Sequence, residues 1–194
     1  MADPVVVKIG GSLVEYIDPL IEILRHSGRP ALIVPGGGIC ARMIRELGMG
    51  GDAAHWMAVC AMEQFGWHIS TRGITPVSEL HVPHGLAVLL PYLPLLKADP
   101  VPHSWEVTSD TIAAWVASSL GLDLIILKSV DGIKKDGMLQ ERICEDIITD
   151  VVDSGFISYI LAHRVNTVIM NGRRPKRLGI YLQGNPVSCT TIGF

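Results

Sequence analysis

Val5-Val6-Val7-Lys8-Ile9-Gly10-Gly11-Ser12 is the stretch that decides the fold. Five residues, four of them β-branched, form an apolar run too short for an ordinary helix and too apolar for a surface strand. It reads as a buried strand feeding a glycine turn. Ser12 is then placed to cap a helix over Leu13, Ile17, Leu20, Ile21 and Leu24, whose spacing is helical, with Gly28 ending it. The pattern repeats at once: residues 31–34 are a second buried strand, closed by Pro35-Gly36-Gly37-Gly38. Working outward, a helix is expected from Asp52 through residues 53–69, and a strand over 86–90. Pro91, Pro94, Pro100 and Pro102 then mark a crossing that is neither continuous helix nor central strand.

The second half repeats the alternation. Thr108-Ser109-Asp110 opens a helix over 111–120, ended by Gly121, and residues 122–127 are a strand leading into Lys128-Ser129-Val130-Asp131-Gly132. Residues 133–139, with Asp136-Gly137 inside, read as a small hairpin. A helix over 153–164, a strand over 167–170 closed by Asn171-Gly172, and a last edge strand over 187–192 complete the chain. Strands alternating with helices predict an α/β protein, a three-layer αβα sandwich with a mainly parallel central sheet. The 194 residues suit a single domain. Its halves, about 1–100 and 101–194, are expected to be two lobes joined through the proline-rich crossing.

Composition narrows the function classes. Hydrophobic residues are 48% and charged residues 18% of the chain, which argues for buried strands and against disorder. Sixteen Lys+Arg against nineteen Asp+Glu leave a formal charge of −3, which excludes a generally basic nucleic-acid-coating protein. No apolar run reaches the roughly 18 residues that span a bilayer. Met1-Ala2-Asp3-Pro4 lacks the basic and apolar regions of a signal peptide. Cys40, Cys60, Cys144 and Cys189 are scattered and read as free thiols. Together these predict a cytoplasmic protein with no membrane or nucleic-acid partner. The apolar composition favours burial at a subunit interface, and hence a homo-oligomer.

In open α/β sheets, ligands bind beyond the carboxyl ends of strands, and two such ends here carry glycine clusters. At Gly10-Gly11-Ser12 the missing Cβ atoms let the backbone approach a phosphate, and Lys8 can bring an ammonium to it. At Gly36-Gly37-Gly38 a second loop offers N–H groups to another anion. Either loop alone could be only a tight turn. Neither is a Walker A motif or a G-x-G-x-x-G fingerprint.

The ordered set Lys8-x-Gly10-Gly11-Ser12, Gly36-Gly37-Gly38, Ser109-Asp110-x-x-Ala113-Ala114 and Val130-Asp131-Gly132 resembles the amino acid kinase superfamily over essentially the whole chain. Within it, three stretches resemble the short [5-(aminomethyl)furan-3-yl]methyl phosphate kinases of methanofuran biosynthesis. They are Ala54-His55-Trp56-Met57-Ala58 with Ala61-Met62-x-Gln64, Pro102-His103-Ser104-Trp105-x-Val107-Thr108-Ser109-Asp110, and Asn171-Gly172-Arg173-x-Pro175. The resemblance implies transfer of the γ-phosphoryl of ATP, with Mg²⁺, to a small phosphate monoester to give a diphosphate. It places the acceptor in the first lobe and the nucleotide in the second. It also implies that Lys8 neutralises charge on the transferring group and that Asp110 holds catalytic lysines. Gly10, Gly11, Ser12, Lys128, Asp131 and Gly132 would serve the nucleotide and its phosphates. Gly36, Gly37, Gly38, Arg42, His55 and Trp105 would serve the acceptor.

Each assignment has a plainer counterpart. Asp110 could N-cap the helix that follows it, or touch nucleotide-bound Mg²⁺. Asp131-Gly132 could form only a turn, Arg42 could be a surface arginine, and Trp105 could anchor its loop. An ammonium on the acceptor would suit Asp52, Glu63 or Asp99. His81-x-x-His84, with Pro83 inside, is a poor metal site, and no protein-only metal site is expected. The chain departs from the superfamily where many members carry a second lysine in Gly-Gly-Met-x-x-Lys. Here residues 153–159 contain none, leaving Lys128 or Lys134 to substitute. The competing readings are a kinase of another acceptor (a nucleoside monophosphate, isopentenyl phosphate or an amino acid carboxylate) and a non-catalytic binding or storage protein.

Overall fold

The computed structural model describes residues 3–193; Met1 and Ala2, part of the N-terminal reading above, lie outside them. The opening run forms strand β1 (Val5–Ile9) at the middle of an eight-stranded sheet. On one side it pairs in parallel with β2 (Ala31–Pro35), Val5 opposite Ala31. On the other it pairs in parallel with β5 (Asp123–Lys128), Val5 opposite Asp123. Beyond β2 lie β4 (Leu86–Leu89) and β3 (Thr75–Val77), both parallel. Beyond β5 lies β9 (Thr167–Asn171), also parallel. Then come β10 (Thr190–Ile192), antiparallel to β9, and β8 (Arg142–Ile143), parallel to β10.

Every residue of β1 is buried because both faces of the sheet are covered. Val5, Val7 and Ile9 pack with Ile17, Leu20, Ile21 and Leu24 of helix α1 (Ile17–Ser27) and Leu178 of α7 (Pro175–Leu182). Val6 faces the other layer, with Ile112 and Val116 of α5 (Ser109–Leu120) and Phe156 and Ile160 of α6 (Phe156–His163). Each such aliphatic side chain contributes about 1.5–3 kcal/mol by its burial. The period of two puts Lys8 on the Val6 face, the one polar residue of the strand. Helices α2 (Gly38–Glu46), α3 (Gly51–Ser70) and α4 (Tyr92–Ala98) complete the first half. A short hairpin of β6 (Lys134–Lys135) and β7 (Met138–Leu139) stands apart from the sheet. Its turn residues Asp136 and Gly137 both have positive φ, as the Asp-Gly reading requires.

Four details correct or refine the sequence reading. Ser12 caps no helix: it sits inside a 3-10 turn over Gly11–Tyr16, and α1 starts only at Ile17. Pro19 in the first turn of α1 explains this, since its ring would clash with the carbonyl of Glu15 if the helix began earlier. The stretch 187–192 is not an edge strand, because β10 is flanked by β9 and β8. The proline-rich crossing is neither continuous helix nor central strand, as expected, but one short helix within it, α4, tolerates Pro94 in its first turn. Finally, α6 starts at Phe156 rather than 153, which leaves Asp153 outside it.

Candidate active site

β1 and β5 are the neighbours from which the sheet grows in opposite directions, so the crevice beyond their carboxyl ends is a topological switch point. Lys8 enters it from β1 and Lys128 from the last position of β5. Between them stands Asp110, in the first turn of α5. Lys8 Nζ lies 2.6 Å from Asp110 Oδ1, and Lys128 Nζ donates a 2.5 Å hydrogen bond to Oδ2. The Lys8 contact is ionic without hydrogen-bond alignment. Asp110 and Lys8 are each 3% exposed.

Burial alone would raise the Asp110 carboxyl, but the charges of Lys8 and Lys128 outweigh it and hold the group below the ordinary carboxylate range. Lys128 is pushed down, first by burial and then by repulsion from Lys8, with Asp110 opposing. The trio carries a net charge of +1. Its lysines face a cavity of about 680 Å³ that Asp110 does not line. Asp110 is buried, with Oδ2 hydrogen-bonded to Lys128 and Oδ1 in ionic contact with Lys8.

Both glycine loops line that cavity and are packed on each other. A Cβ on Gly11 would fall 2.0 Å from Gly38 Cα, so only glycine fits there. The N–H of Gly36 donates to the Ile9 carbonyl at 2.9 Å, tying the second loop to the first strand. The structure thus brings together the sequence-predicted Lys8, Gly10, Gly11, Ser12, Gly36, Gly37, Gly38, Arg42, His55, Trp105 and Lys128 around one space.

The far wall comes from α2, α3 and the segment leading into α5. Arg42 and Arg45, one turn apart on α2, both line the cavity. The Arg45 guanidinium lies 4.6 Å from the centroid of the Trp105 ring, a cation–π arrangement. Trp105 Nε1 donates to the Met49 carbonyl at 2.9 Å, so the ring anchors its loop and also shapes the cavity. His55 lines the cavity and stacks on His103, centroids 4.0 Å apart, with Trp56 edge-on to both. Burial, then repulsion from His103, lowers the His55 pKa. His103 lies behind His55, its two ring nitrogens each 2.8 Å from a carboxylate oxygen, Asp52 Oδ1 and Asp99 Oδ1. Those hydrogen bonds raise its pKa.

Other predicted residues lie elsewhere. Asp131 does not line the cavity; its Oδ1 accepts from Asn171 at 2.8 Å and Arg177 at 2.9 Å, which with burial opposing keeps its pKa low. Gly132 packs on Thr190, where a Cβ would meet Oγ1 at 2.4 Å. Lys134 is exposed on the hairpin, which leaves Lys128 as the second lysine beside Asp110. None of the three proposed ammonium partners lines the cavity: Asp52 and Asp99 hold His103, and Glu63 accepts from the Tyr92 N–H at the start of α4. No Asp or Glu lines the cavity among the described residues.

Asp110 is also not the cap of α5. That role belongs to Asp153, which precedes α6. Its Oδ2 accepts from Thr108 N at 2.9 Å, Thr108 Oγ1 at 2.8 Å and Thr111 N at 3.1 Å, and its Oδ1 accepts from Thr111 Oγ1. Two site residues were therefore missed from sequence. Arg45 follows from Arg42 by helical spacing once α2 is recognised. Asp153 has no local signal, because its partners are some forty positions away in the chain.

No protein-family model matches the chain. It is 29% identical over 200 residues, covering 92% of this chain and 93% of the relative, to the [5-(aminomethyl)furan-3-yl]methyl phosphate kinase of Methanocaldococcus jannaschii. Among solved structures it is similar to UMP kinase from Ureaplasma parvum, with TM-score 0.74, 17% identity and full coverage of both chains. It is also similar to uridylate kinase from Archaeoglobus fulgidus, with TM-score 0.71, 17% identity, and coverage of 99% of this chain and 100% of that one. A third is isopentenyl phosphate kinase, with TM-score 0.70, 14% identity, and coverage of 97% and 100%. The mainly parallel sheet, the paired glycine loops and these likenesses give one conclusion: the chain has the amino acid kinase fold.

Proposed function

We propose that the cavity is the active site of a kinase that transfers the γ-phosphoryl of ATP to the phosphate of a small monoester, giving a diphosphate. The acceptor we assign is the furan phosphate named in the Methanocaldococcus relative. The observation that carries this is the Lys8–Asp110–Lys128 trio at the floor of a cavity lined by two glycine loops and the Arg42–Arg45 pair. Four cationic side chains facing one space, with no carboxylate on its walls among the described residues, suit two anions brought face to face.

A phosphate oxygen of the acceptor attacks the γ-phosphorus, the bond to the β-phosphate oxygen breaks, and ADP leaves. An acceptor phosphate is already ionised near neutral pH, so the reaction needs no general base. The site agrees, since the carboxylate of Asp110 is buried between lysines and unavailable for proton transfer. Catalysis then rests on position and charge. Lys8 and Lys128 face the transferring group, Gly10, Gly11 and Ser12 face the nucleotide phosphates, and Arg42, Arg45, His55 and Gly36–Gly38 hold the acceptor. Asp131 and Gly132 shape the nucleotide side from behind Lys128, since Lys128 pairs with Asn171 in the sheet and Asn171 holds Asp131. Mg²⁺ would bind through phosphate oxygens and water, because the cavity walls supply it no carboxylate, and when bound it neutralises phosphate charge. The cytoplasm is the compartment assigned, and exposed Ile39 and Met43 of α2, with Leu47 just beyond its end, support a homo-oligomer.

The test is turnover with ATP and Mg²⁺ on the furan phosphate, and separately on UMP, isopentenyl phosphate and acetylglutamate, following ADP release and a new diphosphate signal by phosphorus NMR. Turnover of the furan phosphate is expected. Turnover of UMP or isopentenyl phosphate alone would replace the acceptor and keep the kinase. ATP binding without any turnover would favour a binding or storage protein.

A further inference from the structure

We infer that Asp153 is a positioning residue of the phosphoryl-transfer centre, locking the first turn of α5 so that Asp110 is held between Lys8 and Lys128. This rests on the kinase reading of the site and deepens it.

An α-helix begins with unpaired N–H groups, ordinarily satisfied by a side chain at its own N-cap. Here the N-cap residue is Thr108, and its hydroxyl makes no capping bond. It donates instead to Asp153 Oδ2, which also takes the N–H groups of Thr108 and Thr111, while Oδ1 takes the Thr111 hydroxyl. One carboxylate thus gathers four donors from the turn that contains Asp110. The grip extends to the backbone: Gly155 N donates to the Glu106 carbonyl at 3.0 Å, and a Cβ at Gly155 would stand 3.0 Å from Val107 Cγ2.

Two consequences follow for the site. Asp110 is released from the capping role its position would suggest, so both its oxygens are available to lysines. Its placement also becomes dependent on the lead-in to α6, and a turn that shifted by an ångström would loosen both ion pairs at once. Asp153 also places a negative charge near Lys128 that favours its protonated form against burial. Asp153 does not line the cavity, so it acts on the site through the placement of Asp110, with its charge on Lys128 a lesser contribution.

The experiment compares Asp153→Ala and Asp153→Asn with wild type, each assayed well below its own melting temperature. Asp153→Ala should lower kcat at least roughly tenfold, with KM for ATP and for the furan phosphate within about threefold. Asp153→Asn, which keeps the shape and an acceptor oxygen, should recover part of that loss. Independently of turnover, the Cε carbon NMR signals of Lys8 and Lys128, assigned through Lys8→Arg and Lys128→Arg, should move in Asp153→Ala at constant pH. If Asp153→Ala is unfolded, the Asp153→Asn signals and kcat decide. Wild-type kcat with unmoved lysine signals in the folded variants, whatever their melting temperature, would reduce Asp153 to a plain helix cap and overturn the inference. If wild type turns over no acceptor, the kinase reading fails, and the lysine signals still report on Asp153.

Discussion

Two charge triads of opposite composition flank the cavity. At its floor one carboxylate, Asp110, stands between two ammonium groups; at its rim one imidazole, His103, stands between two carboxylates, Asp52 and Asp99. The contact distances are similar, from 2.5 to 2.8 Å. Their surroundings are not. Asp110 is buried, whereas the Asp52 and Asp99 side chains are mostly exposed. Water screens the rim triad, so its pairs contribute little individually and act as a joint between α3 and the end of α4. At the floor there is no such screening, and the unspent positive charge is directed at whatever enters the cavity. Burial, more than pairing geometry, separates the two clusters.

The sharpest way to break this contrast is to empty the floor triad. Asp110→Ala leaves two lysines facing each other in a buried site, so it should abolish turnover and cost about 3–5 kcal/mol of stability. Denaturant melts measure the second effect. A loss below ~1 kcal/mol, the range of exposed pairs, would erase the distinction between floor and rim. Next comes Lys8→Ala, which should lower kcat ~10²–10³-fold with the fold intact; a steady-state assay within about threefold of wild type would remove Lys8 from the mechanism. On the acceptor wall, Arg42→Ala and Arg45→Ala should each raise KM for the furan phosphate about tenfold, a change of ~1.4 kcal/mol, while KM for ATP holds. An equal rise in both would move the arginines to the nucleotide.

The smallest effect belongs to the rim and concerns pH. Hydrogen bonds donated by the His103 ring to Asp52 and Asp99 raise the folded-state pKa of His103 above an unfolded value of about 6.5. Its stabilisation is therefore fully present below about pH 6.5 and is lost as pH rises through the raised value. Buried His55 has the opposite sign, weakening the fold as pH falls below about 6.5. His103→Gln should remove the alkaline loss and leave the acid loss, read from melting temperatures between pH 5 and 9. An unchanged pH profile in the variant would mean that the rim triad does not titrate with folding.

How much of this was legible in the sequence follows from the range of the interactions. Val5 through Ser12 announced a buried strand and a glycine turn, which lines the cavity, because periodicity and glycine act locally. Asp136-Gly137 announced its turn for the same reason. Asp110 was legible through its motif, but its freedom from capping was not, because that depends on Asp153, whose partners are distant in the chain. Asp52, Glu63 and Asp99 looked available until the fold gave each a partner from another segment. Helix α2 was missed although Ile39, Met43 and Leu47 recur at helical spacing; those three side chains stand exposed, and only Ile44 of the helix is buried.

The central place of β1 has a consequence for synthesis. Its two neighbours are made at very different times, since Val5 pairs with Ala31 on one edge and Asp123 on the other. A nascent chain can close the first edge early, but the second must wait until most of the polypeptide has left the ribosome. Throughout that interval a valine-rich edge stands open with no strand to occupy it, a state prone to pairing with other chains. Truncations ending before β5 should therefore aggregate rather than persist as a folded first half, and a chaperone that shields extended apolar strands would act on this chain chiefly before residue 123 emerges.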